Sequence, residues 1–146
     1  MTGMIARRLF LFSTVALALG AGACGGTSSE LGADGESVVV IHLTLDANVP
    51  ELHQIHVMAH LGSVGLDSDN YFPVVPRTTP IVSGETLALL IPPSRMGLLD
   101  LIIFGLDGSH NPVARGNGQT TITVGGRVDT TITLNACTSS GPGSGC

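Results

Sequence analysis

The chain contains no lysine and no tryptophan and a single tyrosine, and charged and aromatic residues make up only 12% and 3% of it. Without lysine its cations are six arginines, too few and too scattered for the clustered charge that holds nucleic-acid phosphates, so a nucleic-acid partner is excluded. The shortage of tryptophan also removes the buried Cys–Trp–Cys set of an antibody-type core. Cysteine is scarce too, three residues with no C-x-x-C spacing, which excludes the common zinc and dithiol redox motifs. The sequence has no G-x-S-x-G elbow, no H-E-x-x-H and no cysteine with an evident histidine partner, so nothing points to an enzyme or a bound cofactor. Its longest apolar run, residues 9–19 (LFLFSTVALAL), is too short to span a bilayer stably.

What is present divides the 146 residues into four stretches. Arg7 and Arg8 precede the apolar run, and the small residues Gly20-Ala21-Gly22-Ala23 lead directly to Cys24. This order of charge, apolar segment and small residues is that of an export signal. It resembles the lipobox of bacterial lipoproteins, which implies a signal peptide over 1–23 and a diacylglyceryl group on the thiol of Cys24, the new N-terminus. Gly25 is not the Asp that retains such proteins at the inner membrane, so the resemblance implies a lipid anchor in the outer membrane, on its periplasmic or surface face. The run Arg7-Arg8-Leu9-Phe10-Leu11 also resembles a twin-arginine signal. Gly20-x-Gly22-x-x-Gly25 matches the dinucleotide fingerprint in letters only, because it follows a signal-like run and no βαβ unit surrounds it.

Beyond the signal, four arginines face eleven acids, a formal charge of −7. Residues 24–35 are Gly, Ser and acid without apolar periodicity, a flexible tether. Residues 36–135 alternate apolar and polar positions, and 20 glycines and 8 prolines across the chain supply turns between short strands. No stretch of 12 residues there carries a helical period. In the first strand Val39, Ile41, Leu43 and Leu45 share a face; in the next, Ile55, Val57, Ala59 and Leu61 do. A hairpin centred near Val49 sets Leu43 opposite Ile55, Ile41 opposite Val57 and Val39 opposite Ala59, apolar pairs throughout. Residues 62–70 read as a loop and Tyr71–Val75 as a short strand. Leu87, Leu89 and Ile91 line one face of the next strand, and residues 98–106 form the most apolar one. Gly125-Gly126-Arg127 signals a hairpin between strands 119–124 and 128–134. The expectation is an all-β domain, a single antiparallel β-sandwich of about seven to eight strands.

The second half, TLALLIPPSRMGLLDLIIFGLDGSHNPVARGNGQTTITVGGRVDTTITL, resembles a pattern in envelope lipoproteins of large-genome Gram-negative bacteria. A strand ends in Pro, a Gly-led apolar strand follows, and an LDGxxNPVARG hairpin precedes paired Thr-Val strands. Such domains look like immunoglobulin-type or transthyretin-like sandwiches. These motifs imply a fold and not an activity.

Candidate chemistry is thin. His56 and His60 sit four residues apart, about 13 Å along a strand and too far to share a metal. The hairpin sets His42 across from His56 on the outer face with Met58 beside them, an N,N,S set that suits copper or zinc. The reading of two exposed histidines on a polar face stands beside it. Asp67-Ser68-Asp69-Asn70 resembles the opening of a calcium loop, but Phe72 and Thr78 stand where an EF-hand has Gly and Glu, and an Asx-rich turn serves equally. The tail, residues 136–146, carries Cys137 and Cys146; in an oxidising compartment two leftover cysteines pair, and two free thiols are the alternative. In strand 98–106, Leu99, Leu101 and Ile103 face the core if Asp100 faces out. Ile102, Phe104 and Leu106 then form an outer apolar patch, extended by Ala88 and Leu90, of the kind that marks an interface. The sequence thus points to a membrane-anchored, non-enzymatic module that is structural or binds another envelope protein or a glycan. A small metal-binding protein is the alternative.

Overall fold

The computed structural model describes residues 35–62, 66–93, 95–138 and 146. The signal-like segment, Cys24 and the tether as far as residue 34 lie outside the described residues.

Among the described residues there are seven strands and no α-helix: β1 (Ser37–Leu45), β2 (Gln54–Leu61), β3 (Leu66–Phe72), β4 (Thr86–Ile91), β5 (Gly97–Leu106), β6 (Pro112–Ile122) and β7 (Arg127–Ala136). They belong to one hydrogen-bonded order, β3-β2-β5-β6-β7-β1-β4. The sheet is mixed, because β1 runs parallel to β7 while the other neighbours are antiparallel. It curls until it is nearly a barrel, so one face of every strand looks onto a shared interior.

Period two decides what that interior contains. Val39, Ile41 and Leu43 of β1, Ile55, Val57 and Ala59 of β2, and Leu99, Leu101 and Ile103 of β5 are all at most 1% exposed. Leu89 and Ile91 of β4, Ile122 of β6, and Ile132 and Leu134 of β7 join the same cluster. Apolar surface removed from water stabilises a fold by about 25 cal/mol per Å², and in this chain it falls almost wholly on aliphatic side chains.

The sheet turns its tightest corner between β6 and β7. These strands are consecutive, yet only Ala114↔Ala136 and Arg115↔Asn135 are in register. From Arg127 onward β7 pairs with β1, Val38↔Arg127 through Leu45↔Leu134. Gly116 makes the crossing possible: a Cβ there would lie 2.5 Å from the Thr133 carbonyl oxygen and 2.8 Å from Ile132 Cγ2. Strand β7 therefore packs where a side chain on β6 would stand.

Several expectations are corrected. Strands β1 and β2 do not form a hairpin: β1 pairs with β4 and β7, and β2 with β3 and β5. Every one of those neighbours offers the same apolar alternation, so the register test could not tell them apart. The sheet is not purely antiparallel, because β7 reaches the far side of β1 after crossing β6. The Gly125-Gly126 turn joins β6 to β7 without closing a local hairpin. The strand expected at 119–124 is the later part of a longer one, β6, which starts at Pro112 and runs through Gly116-Asn117-Gly118. Residues 66–70, read as loop, are paired in β3, whose polar composition is that of a sheet edge.

Candidate functional site

With one face of the sheet buried, chemistry can only sit on the outer face or at the strand ends. On the half made by β3, β2, β5 and β6, the registers align one outer row across four strands: Tyr71↔His56, His56↔Phe104, Phe104↔Arg115. The row is a stack. The His56 and Tyr71 rings lie 4.3 Å apart and within 4° of parallel, the Phe104 ring is 5.8 Å from His56, and the Arg115 guanidinium carbon lies 5.6 Å from the Phe104 centroid. Outside the first 34 residues the chain has one tyrosine and two phenylalanines, and two of those three rings are in this row. Stacked rings of this kind contribute about 0.5–1.5 kcal/mol per pair beyond the area they bury. His56 Nε2–H donates to the Asp69 carboxylate, which fixes the tautomer of the ring.

Above this row lies an open cleft of about 490 Å³, walled by His56, Tyr71 and Phe104 below and by Val74, His110, Pro112 and Cys146 around it, with Gln54 and Leu106 at its base. That volume falls in the range of small-molecule sites. Gln54 is 1% exposed and fully bonded: its Nε2 donates to the carbonyls of Pro73 (2.8 Å) and Val74 (3.1 Å), and its Oε1 accepts from His110 Nδ1 at 2.9 Å. One buried amide thus ties two loops together at the mouth of the cleft.

The loop that carries His110 is shaped by Asp107. Its carboxylate accepts the backbone N–H groups of Ser109 (2.8 Å) and Asn111 (2.9 Å) and the Asn111 side-chain amide at 3.0 Å. The Asn111 side chain first, then the backbone N–H groups, hold the Asp107 carboxyl below the usual carboxylate range. The resulting turn puts His110 at φ +64°, a left-handed conformation that a residue with a Cβ seldom adopts. The strain lies in the backbone, at the lip of the cleft.

The structure separates what the sequence placed together. His42 and His56 lie on β1 and β2, which stand apart in the sheet with β5, β6 and β7 between them. His42 is bonded instead to Asp129 Oδ1 at 3.2 Å, and His56 to Asp69. Arg127 grips the same Asp129 with two bonds of 3.0 Å; that pair, and His42 after it, hold the carboxyl down at about 2. Among the described residues no three His, Cys, Asp or Glu side chains are grouped to hold a metal. Ser68, Asp69 and Asn70 lie along β3 and alternate across it, so they do not converge as a calcium loop must. Ile102 and Phe104 face outward as expected but are half-buried, and Leu106 is 4% exposed beneath the cleft. Ala88 and Leu90 lie on β4, at the opposite end of the strand order, and do not extend that patch. Cys137 and Cys146 have Cα atoms 5.3 Å apart and sulfurs in bonding contact, a separation that suits a disulfide, and Cys146 thereby reaches the cleft.

Sequence reasoning named Gln54, His56 and Phe104 as outward residues but gave no role to Gln54, Tyr71, His110 or Arg115. Correct strand pairing would have found the row; the cleft, built by loops around residues 73–76 and 107–112, left no local signal. Fold and site together define a small all-β protein with a stacked aromatic row beside an open cleft. Comparison with protein-family models, curated proteins and solved structures finds no match for the chain.

Proposed function

We propose that this chain is a lipid-anchored, non-enzymatic module of the bacterial cell envelope whose cleft face binds a partner. Support for the anchor is the order of residues 1–24, ending at Cys24 as the lipid-attachment residue, with the outer membrane as its address. The Cys137–Cys146 disulfide belongs to the same reading, since export delivers the chain to an oxidising compartment. So does an immunoglobulin- or transthyretin-like sandwich, in which the two-pair join between β6 and β7 is the seam between two layers.

The observation that carries the binding role is the row Tyr71–His56–Phe104–Arg115 lying on the open side of a sheet whose other side carries the core. Aromatic rings and arginine are the side chains that most often anchor binding partners. The partner is another envelope protein or a glycan. A photo-crosslinking residue at position 71, in native cells, captures it; the same residue at Thr131, on the outer face of β7, does not. Equal capture at both positions, or none at 71, overturns the assignment. Replacing Cys24 with Ser abolishes incorporation of labelled fatty acid, and retained label overturns the anchor.

A further inference from the structure

The place where the chain enters the fold has a surface character of its own. Gly35 sits between two loops: a Cβ there would lie 3.5 Å from Pro93 Cβ, and a Cβ on Gly125 would lie 4.0 Å from the Gly35 Cα. The first loop leads into β5 and carries Arg95 and Met96; the second joins β6 to β7 and carries Val124. Pairing of β5 with β6, Gly97↔Ile122 and Leu98↔Thr121, brings both loops to the same end of the sheet. Met96 is 65% exposed, Val124 50% and Leu98 48%, and none of the three belongs to the core cluster. The opposite end, where the cleft opens, exposes apolar side chains too, at Val74, Val75 and Val82. The two ends differ in charge. Neither loop beside Gly35 contains an acid, and Glu36 at the entry is matched in charge by Arg95. The three loops of the opposite end carry Asp46 and Glu51, Glu85, and Asp107.

We propose that this end is a membrane-contact surface: Met96, Leu98 and Val124 settle into the headgroup layer of a lipid bilayer, and the domain stands end-on with its cleft pointing away. The proposal rests on the reading of Cys24 as the lipid-bearing residue. Cys24 and Gly35 are eleven positions apart, a reach of at most about 40 Å. Acyl chains sunk in a bilayer therefore keep Gly35, and the loops on either side of it, at high effective concentration beside the surface. Apolar side chains gain by entering the interface, whereas carboxylates lose hydration there and are repelled by anionic lipid. That contrast selects the entry end over the equally apolar but acidic cleft end. Arg95, exposed next to Met96, lays its aliphatic stem along the apolar loop and its guanidinium among the lipid phosphates. Strand β5 then acts as a spacer. It runs from Gly97 to Leu106, about 30 Å, and lifts the floor of the cleft that far from the membrane.

The chain has no tryptophan, so a single introduced one reports alone. Met96→Trp and, at the far end, Val75→Trp are made in the full chain and reconstituted into vesicles of phosphatidylethanolamine and phosphatidylglycerol. The acyl chains carry bromine near the headgroup, which quenches indole fluorescence at short range; plain vesicles are the reference. Emission from Met96→Trp is expected to be quenched and shifted to the blue, and that from Val75→Trp to be the same in both vesicles. Adding Leu98→Asp and Val124→Asp to Met96→Trp, all at exposed positions, is expected to abolish the quenching. Equal quenching at both positions, none at 96, or quenching that survives the two aspartates overturns the contact surface. Fatty-acid label on Cys24, read on the same samples, tells the two readings apart. Label without quenching at 96 leaves the anchor standing and sinks the contact surface. Quenching at 96 without label keeps the contact surface and sinks the anchor.

Discussion

The imidazole of His56 lies face to face with the ring of Tyr71, 4.3 Å between centroids and 4° between planes. The two residues are direct partners across β2 and β3, so the stack measures the pairing of an edge strand that carries two acids. A double-mutant cycle with His56→Ala and Tyr71→Ala should give a coupling of about 0.5–1.5 kcal/mol in chemical denaturation. Each single change removes one ring, and the Asp69 bond to His56 cancels in the cycle. A coupling near zero would mean that the rings are adjacent without attracting.

The corner between β6 and β7 makes a second prediction. At Gly116 a Cβ would meet a backbone carbonyl that cannot move without shifting β7. Gly116→Ala should therefore destabilise the protein by about 1–3 kcal/mol, the usual cost of overpacking. Gly62 is the control: its φ is +66°, but nothing lies within 4 Å of a Cβ there, so Gly62→Ala bears conformational strain alone. Strain of that sort costs about 1 kcal/mol. Equal midpoints for the two variants in a urea titration would remove the case for close packing at Gly116.

Much of this architecture is legible in the sequence, and the remainder is hidden for identifiable reasons. Alternation locates β1, β2, β4 and β5 and assigns Leu99, Leu101 and Ile103 to the interior, because burial of one sheet face imposes period two directly. Strand partnership is not local. The pairs Val39↔Leu89 and Val39↔Val128 are as apolar as the expected Val39–Ala59, and only the assembled sheet chooses among them. Strand β3 escapes notice because its outer edge meets water and its residues, LDSDNYF, have the composition of a turn. Gly116 and Gly118 carry no local signal, because nothing nearby in the chain shows what they must admit. The cleft depends on Gln54 reaching residues 19 and 56 positions away, contacts that no periodicity records.

Asp129 gives a prediction in pH. Its carboxyl, normally at 3.8, is held at about 2 by Arg127 first and His42 second. A carboxyl depressed by folding contributes stability that is full above 3.8 and is gone once pH falls through about 2. Carboxyl chemical shifts followed by NMR should place the Asp129 midpoint near 2, and Asp129→Asn should flatten the stability profile across that window. The group is exposed, so raising the salt concentration should move the midpoint back toward 3.8. A midpoint of 3.8 at low salt would show that the Arg127 contact is not held in solution.

Separation of His42 from His56 predicts the behaviour of copper. If the two shared a metal, His42→Ala and His56→Ala would abolish the same site. With β5, β6 and β7 between their strands, each is expected to act alone, with its own carboxylate neighbour. Titration of Cu(II) into the two variants should leave any binding in one unaffected by loss of the other. A single tight site lost in both variants would restore the metal reading and contradict the strand order.

The buried amide of Gln54 offers the most discriminating change, because it is a polar group that the fold has no packing reason to keep. Its neighbour Ile55 belongs to the core and Gln54 does not; its side chain lies at the base of the cleft, bonded to the carbonyls of Pro73 and Val74 and to His110. Gln54→Leu keeps volume and removes all three bonds. The two carbonyls can turn to water, since Val74 is largely exposed, but the His110 ring loses the acceptor that orients it. Net hydrogen bonds contribute about 0.5–1.5 kcal/mol each, and the added apolar surface offsets part of that, so stability should fall by only about 1–2 kcal/mol. Order at the cleft should fall much further. Amide exchange is expected to accelerate at Val74 and Val75 and at residues 108–111 while the β5 core stays protected. Unchanged exchange in both loops would show that Gln54 fills space at the base of the cleft and does not hold it open.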